Sequence, residues 1–449
     1  MPDSRPRVPL QLVFAIVIAL PGAYLGAASY LGLPHPELAP PLAAAVYGIA
    51  IIGAAFILSW AAEAAQVDLS AGLALALLAL LAVLPEYAVD FVFGFRAGQV
   101  FEENGACVPD AAGTNPCSLA LANMTGANRV LVGVGWPLVV LVATLAVRHA
   151  KRSGGHDSVS THTGAVTMPR AMSAEVVFLG IATIYSLTLP LRSSLTLVDA
   201  AVLVAIFAAY ALRLAKAPAE EPDLQGAADW IACRPKPGRR WLVGGLFVIA
   251  GLVILTTAEH FAEGLVATGS ELGVDQFVLV QWVAPLASES PELIVACLYA
   301  WRLKAGNSLG TLLSSKVNQW TLLVGTLPIV FAVSSTSLHG LPLDTHQRLE
   351  LLLTASQSLF AVSLLVTLGL SLRGAVALLV LFLVQFVTSI TLPSETDRIV
   401  VVAMSGVYLV LAAAQFIRHR RLLVRTTKDG LVTRFGELEK ADEEAEARR

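Results

Sequence analysis

The chain has 449 residues, 56% of them hydrophobic and only 14% charged, where a soluble protein carries about 25% charged residues. That balance excludes an ordinary soluble domain and points to an all-α integral membrane protein. The formal net charge of −3, with basic residues scattered at segment ends, excludes a nucleic-acid partner and leaves the lipid bilayer as the expected surrounding.

A span needs roughly 20 mostly apolar residues. Twelve stretches qualify: 10–32, 40–65, 70–96, 119–148, 173–190, 194–214, 240–268, 274–302, 307–335, 349–369, 373–392 and 398–417. Some are short or interrupted, which leaves eleven as the alternative count. The first is too long for the core of a signal peptide and has no small-residue cleavage site, so it is expected to remain as a span.

The third span carries Leu84-Pro85-Glu86 after the run AGLALALLALLAV. Between it and the fourth lies a polar insert, FEENGACVPDAAGTNPC, whose Cys107 and Cys117 form a disulfide if the compartment is oxidising. With Cys233 and Cys297 they make four cysteines, and no spacing resembles a zinc site. The fourth span opens on ANMTGANRVLVGVGWP. A polar, basic stretch over 215–240 separates the halves. The eighth span then carries Ser288-Glu289-Ser290-Pro291-Glu292, and the ninth opens on GTLLSSKVNQWTLLVGTLP.

Basic residues set the orientation. With the N-terminus inside, the cytoplasmic loops receive Arg148, Lys151, Arg152, Arg170, Arg213, Lys216, Arg234, Lys236, Arg239, Arg240, Arg302, Lys304 and Arg373. The outer loops receive only Arg96, Arg192, Arg348 and Arg398. Both termini are therefore expected in the cytoplasm of a plasma membrane, bacterial from the compact Ala/Leu-rich composition. The charged tail after 418 reads as a helix or a disordered extension.

The two Pro-Glu segments, each followed by a polar-headed span, divide the chain into repeats. AEAAQVDLS upstream of the first parallels GSELGVDQF upstream of the second. The expected organisation is an extra helix (1–37), a first repeat (38–214), a linker (215–239), a second repeat (240–395), and a last helix with its tail (396–449). Five spans per repeat is odd, so the copies have opposite orientation. Proline removes a backbone donor and opens a helix locally. A carboxylate at bilayer depth is costly unless it faces a polar cavity or a cation. Found together twice, they predict a cation site at the midplane between broken helices.

At these segments, roughly 70–140 and 275–330, the chain resembles the cation/calcium exchanger superfamily, which includes sodium/calcium and calcium/proton antiporters. Its repeats combine a G-T-S-x-P-E stretch with G-N-x-x-G-S-N at the start of the next helix. Pro85 and Glu86 match the first motif, while Ala82 and Val83 replace the hydroxyl pair. Asn123, Gly126 and Asn128 match the second. In the other repeat Pro291, Glu292 and Ser288 match and Glu289 replaces a hydroxyl. Gly310 and Ser315 match there as well, while Thr311 and Lys316 replace the asparagines.

The resemblance implies a secondary antiporter that exchanges a metal cation, calcium foremost, for sodium or protons by alternating access, with no cofactor and no enzymatic activity. Glu86, Glu292, Asn123, Asn128, Ser288, Glu289 and Ser315 are the expected cation ligands, Glu86 and Glu292 chief among them. Calcium takes six to eight oxygens, and a carboxylate out of water holds a proton readily when no cation is present. Protons and cation then compete for the same oxygens. Lys316 and Arg129 add fixed positive charge. A tethered Lys316 ammonium beside a carboxylate could replace one coupling ion, altering stoichiometry or selectivity.

Each residue also has a purely structural reading. One Pro-Glu motif could be a kink with a paired carboxylate. Asn123 and Asn128 could be interhelical hydrogen-bond groups, and Lys316 and Arg129 could neutralise carboxylates or snorkel. Glu63, Glu259, His260, Glu263 and Glu271 sit near helix ends, where interfacial solvation explains most of them, with an ion-pathway lining as the alternative for Glu63 and Glu263. Three rival functions stand beside the leading one. A carrier of an anionic solute would use Lys316 and Arg129; a non-transporting sensor would explain the missing hydroxyls and asparagines; a membrane enzyme finds no HExxH, nucleophile elbow or phosphate loop.

Overall fold

The computed structural model describes residues 8–68, 84–109, 115–152, 164–217, 224, 226–273, 276–392 and 394–447. Apolar side chains run all round most of its helices, as they do on segments that face lipid on one side and a protein core on the other. In chain order come α1 (Leu10–Leu31), α2 (Pro40–Ala65), α3 (Leu84–Asn104), α4 (Pro116–Val130), α5 (Trp136–Arg152), α6 (Ser173–Ser186) and α7 (Leu197–Leu214). A short α8 (Ala227–Ala232) precedes α9 (Lys236–Leu272), α10 (Gln276–Trp301), α11 (Ala305–Asn318), α12 (Val324–Ser334), α13 (Thr345–Leu365), α14 (Leu372–Thr391) and α15 (Ser394–Arg418). All twelve predicted spans fall on these helices, although the first half of the third, with Ala82 and Val83, lies outside the described residues. Among the described residues, 10 helices are long and apolar enough to cross a membrane.

The two halves repeat in detail. A single π-helical turn, Leu131–Gly135, joins α4 to α5, and its counterpart, Gln319–Leu323, joins α11 to α12. These turns are offset by the same 188 positions that separate Asn128 from Lys316, so the sequence register of the second motif is also the structural one. Four short strands confirm the relation: β1 (Ala165–Thr167), β2 (Ser194–Leu195), β3 (Leu341–Pro342) and β4 (Gly369–Ser371). By position in the repeats β1 corresponds to β3 and β2 to β4. β1 pairs antiparallel with β4 through Val166 and Leu370, and β2 with β3 through Leu195 and Leu341. Each ladder thus joins the first strand of one repeat to the second strand of the other, as a two-fold relation between inverted copies requires.

Local chemistry starts the helices where the strands end. Thr196 and Asp199 form a reciprocal cap on α7, Asp344 and Gln347 do the same on α13, and the Ser371 hydroxyl accepts from Gly374 on α14. At the head of α4, the Asn115 side chain accepts from the Cys117 amide, and Cys117 is joined to Cys107 with Cα atoms 5.9 Å apart. The expected disulfide is therefore formed.

One expectation fails. α10 was expected to break at Pro291, yet it runs as one helix from Gln276 to Trp301 through both Pro285 and Pro291. The proline effect is local. Pro285 has no N–H to donate to the Gln281 carbonyl one turn earlier, and that oxygen is the one that meets Gly126 of α4. A β-carbon built on Gly126 would lie 1.7 Å from Gln281 O, so the two backbones touch there because position 126 has no side chain.

The tail is ordered as two helices, α16 (Arg420–Leu431) and α17 (Phe435–Ala447), folded back on the bundle. Arg213 of α7 donates to the carbonyls of Gly430 (2.9 Å) and Asp429 (3.1 Å). Asp442 accepts from the Arg170 amide at 2.7 Å. Just past α2, Asp68 receives two 2.8 Å hydrogen bonds from Arg239 at the start of α9. Those bonds, with the charges of Arg239, Arg240 and Lys236, hold its carboxyl below the usual range despite the opposing effect of burial.

Two outcomes follow. G126A should lower stability by about 1–3 kcal/mol, the cost of overpacking, in thermal unfolding of the purified protein, whereas G244A, where a β-carbon meets nothing within 4 Å, should not. D68N should lower the melting temperature at neutral pH. A depressed carboxyl stabilises above its unfolded value, 3.8, and loses that contribution as pH falls through the folded one; the difference between D68N and the parent should therefore close in that acid range.

Candidate cation site

Buried acidic side chains collect where α3 and α10 meet the heads of α4 and α11. Glu86 and Asp90 are one turn apart on α3, and Glu289 and Glu292 are three apart on α10, so each pair shares a helix face. Glu86, Asp90 and Glu289 are each at most 2% exposed. Glu86 lies within electrostatic reach of Glu292 and Asp90, and Glu289 within reach of both Glu86 and Glu292. The Ser288 hydroxyl serves Glu86, and the Ser315 hydroxyl serves Glu292.

The hydrogen bonding is incomplete in a consistent way. Asn123 donates its amide to Asp90 Oδ1 at 2.7 Å, and Gln319 donates its amide to Glu289 Oε1. That leaves one oxygen on each of Glu86, Asp90, Glu289 and Glu292, together with the amide oxygens of Asn123 and Gln319, buried without a hydrogen-bond donor among the described residues. Buried acceptors are normally satisfied. These six unsatisfied oxygens, four of them on carboxyl groups within electrostatic reach of one another, are of the kind a hard cation takes, since it needs no donor hydrogen.

The two fixed cations are each partnered within the protein. Lys316, fully buried, donates to the Asn128 carbonyl (2.5 Å) and to Asn128 Oδ1 (2.7 Å). The amide of Asn128 donates in turn to Met124 O at 2.9 Å, so the Asn128 side chain is occupied at both ends. Lys316 remains within electrostatic reach of Glu289 and 5.6 Å from the Trp320 ring. Arg129, 1% exposed, forms an ion pair with Glu350 of α13 and lies 4.9 Å from the Trp282 ring. Gln281 Nε2 donates to the same Glu350 oxygen at 2.8 Å.

Of the residues expected from the sequence, Glu86, Glu289, Glu292, Asn123, Ser288 and Ser315 come together, while Asn128, Lys316 and Arg129 form a second, paired layer behind them. Sequence reasoning missed Asp90, Gln319 and Glu350. The i, i+4 spacing from Glu86 to Asp90 signals a shared face, as does that from Ser315 to Gln319; Glu350 has no such local marker. Glu259 and Glu263 belong elsewhere: both pair with Arg96 of α3, and Tyr30 donates to Glu259 at 2.5 Å, on a part-exposed edge.

A family model described as sodium/calcium exchanger protein matches residues 40–216 and 242–391. The crystal structure of the H+/Ca2+ exchanger CAX superposes with a TM-score of 0.81 at 38% identity, covering 93% of this chain and 96% of that one. The Ca2+/H+ antiporter protein YfkE superposes with a TM-score of 0.57 at 15% identity, covering 84% of this chain and 99% of that one, a likeness of fold. A candidate antiporter, CaxA of Alkalimonas amylolytica, is 24% identical over 195 residues, 40% of this chain; the match spans 60% of CaxA's length.

The Arg129–Glu350 pair is buried, so removing one partner strands the other. E350Q should destabilise the protein by about 3–5 kcal/mol, measured by thermal unfolding, and the double variant R129M/E350L should recover much of that loss.

Proposed function

Because the chain belongs to the sodium/calcium exchanger protein family, we propose that it is a secondary antiporter that exchanges calcium for protons. The observation that carries this is the neighbourhood of buried oxygens without donors, contributed by Glu86 and Asp90 from one repeat and by Glu289 and Glu292 from the other. Calcium needs six to eight oxygens at 2.3–2.6 Å, and Glu86, Glu292, Asp90 and Asn123 Oδ1 are the ligands assigned to it. Ser288 and Ser315 orient the two leading glutamates. Glu289, bonded to Gln319 and close to Lys316, tunes the local charge.

Exchange follows from competition. Four carboxyl groups out of water repel one another when ionised, and either a dication among them or protons on them relieves that repulsion. A cation arriving displaces protons; protons arriving displace the cation. Protons are chosen over sodium because the solved relative at 38% identity is by name an H+/Ca2+ exchanger. Alternating access between the inverted repeats is the transport mode proposed, with the site near the midplane and both chain ends in the cytoplasm.

The anionic-solute reading is disfavoured by the pairing of both fixed cations within the protein, Arg129 with Glu350 and Lys316 with Asn128. The Lys316 ammonium acts as a built-in counter-charge for Glu289, which should alter the coupling ratio.

Calcium uptake into proteoliposomes tests the whole reading. An outward proton gradient should drive uptake, a sodium gradient should not, and E86Q and E292Q should each reduce it to background. Uptake driven by sodium alone would replace the coupling ion, and uptake surviving both substitutions would remove the site.

A further inference from the structure

A second cluster of ligating side chains lies where α13 and α15 begin, around the Glu350 that pairs with Arg129. His346 and Glu350 are one turn apart on α13, with His346 Nε2 3.8 Å from Glu350 Oε1. Asp397 of α15 completes the group, and all three ligand atoms lie within 4.8 Å of one another. Asp397 is only 9% exposed, yet among the described residues its carboxylate makes no hydrogen bond or ion pair. His346, Glu350 and Arg129 are the charged or titratable groups within electrostatic reach of it. Two carboxylates and an imidazole gathered within 4.8 Å of one another have no hydrogen bond to share between the two acids, and a cation would reconcile them.

The division of labour at Glu350 explains how a cation could be tolerated there. Its Oε2 is taken by Arg129 and by Gln281 Nε2, so the guanidinium neutralises the side facing α4. Its Oε1 is left turned toward His346 and Asp397. The supporting contacts are those a metal centre uses to fix its ligands: Gln281 holds Glu350, and the Phe277 ring lies edge-on to His346 with centroids 4.6 Å apart. The His346 side chain keeps 36% of its exposure, which gives solvent ions a way in.

We propose that His346, Glu350 and Asp397 form a separate binding site for a transition-metal dication of the zinc class. One imidazole nitrogen and two carboxylate oxygens are a three-ligand set that leaves room for water and suits zinc, which takes nitrogen and oxygen at 2.0–2.2 Å in fourfold coordination. Calcium is the poorer occupant because it seeks six to eight oxygens and gains little from an imidazole. Arg129, on the other oxygen of Glu350, tempers the affinity without occupying the site.

Zinc titration of the full-length protein in detergent tests this, in an E86Q/E292Q background so that the carboxylate cluster is disabled. Calorimetry should detect zinc binding there, accompanied by a rise in melting temperature. H346A and D397N should each weaken it by at least about tenfold, since even an outer partner of a metal ligand is worth 10–100-fold. Excess calcium should not displace the zinc. H346Q, polar but without the imidazole nitrogen, replaces H346A if the alanine variant melts early without metal. Unchanged zinc affinity in both H346A and D397N, or displacement by calcium, would overturn the proposal. Zinc binding is read without transport, so a failure of the antiporter hypothesis would leave the zinc site standing, and the reverse holds as well.

Discussion

The bare backbone of Gly126 against the carbonyl of Gln281 is the contact around which the rest of the interior is arranged. Pro285 withholds the hydrogen bond that Gln281 O would otherwise receive, so this stretch of α10 presents a carbonyl to its neighbour rather than to its own helix. α4 can then approach until side chains three positions either side of Gly126 meet other helices. Asn123 reaches Asp90 on α3, and Arg129 reaches Glu350 on α13. A bilayer offers helices little hydrophobic reason to associate, and small residues that allow close packing take over that role.

Charge is organised in two layers around that contact. Carboxyl groups with free oxygens face one another between the repeats, and behind them each basic side chain is given a partner and an aromatic face: Lys316 has Asn128 and Trp320, and Arg129 has Glu350 and Trp282. The repeats differ in how they do this. Register equates Asn128 with Lys316, so the position that is an amide in one copy is an ammonium in the other, and the two bind each other across the pseudo-symmetry axis.

Much of this was legible beforehand. Span positions followed from apolar length, and the repeat followed from the Pro-Glu pair and from the asparagine motif, whose spacing the π-helical turns reproduce. Glu86, Glu292 and Asn123 were recognisable because polar groups in apolar helices are rare. Other features were hidden for definite reasons. Nothing in the sequence says that Asn128 would be consumed by Lys316, because that depends on helices 188 positions apart meeting at one depth. Glu350, one turn into α13, belongs to no motif that would single it out in the sequence. The failed expectation at Pro291 has a similar origin: a proline deletes one hydrogen bond, and packing on both sides of α10 decides whether the helix bends or simply goes without it.

The strand pairs carry a mechanical consequence. β1 with β4 and β2 with β3 tie the connections of one repeat to those of the other at two places, like stitches at both hems of a garment. The bundle between them, α4 to α7 with α11 to α14, is thereby laced against independent movement of its halves. α1, α2, α8 and α9 share a second apolar cluster, and α1, α2 and α9 also enter the main core through Leu25, Tyr47 and Phe261, but among the described residues no strand ladder joins them to the laced part. The two ladders therefore couple the halves through backbone as well as side chains, so that a shift in the connections of either repeat is transmitted to the other.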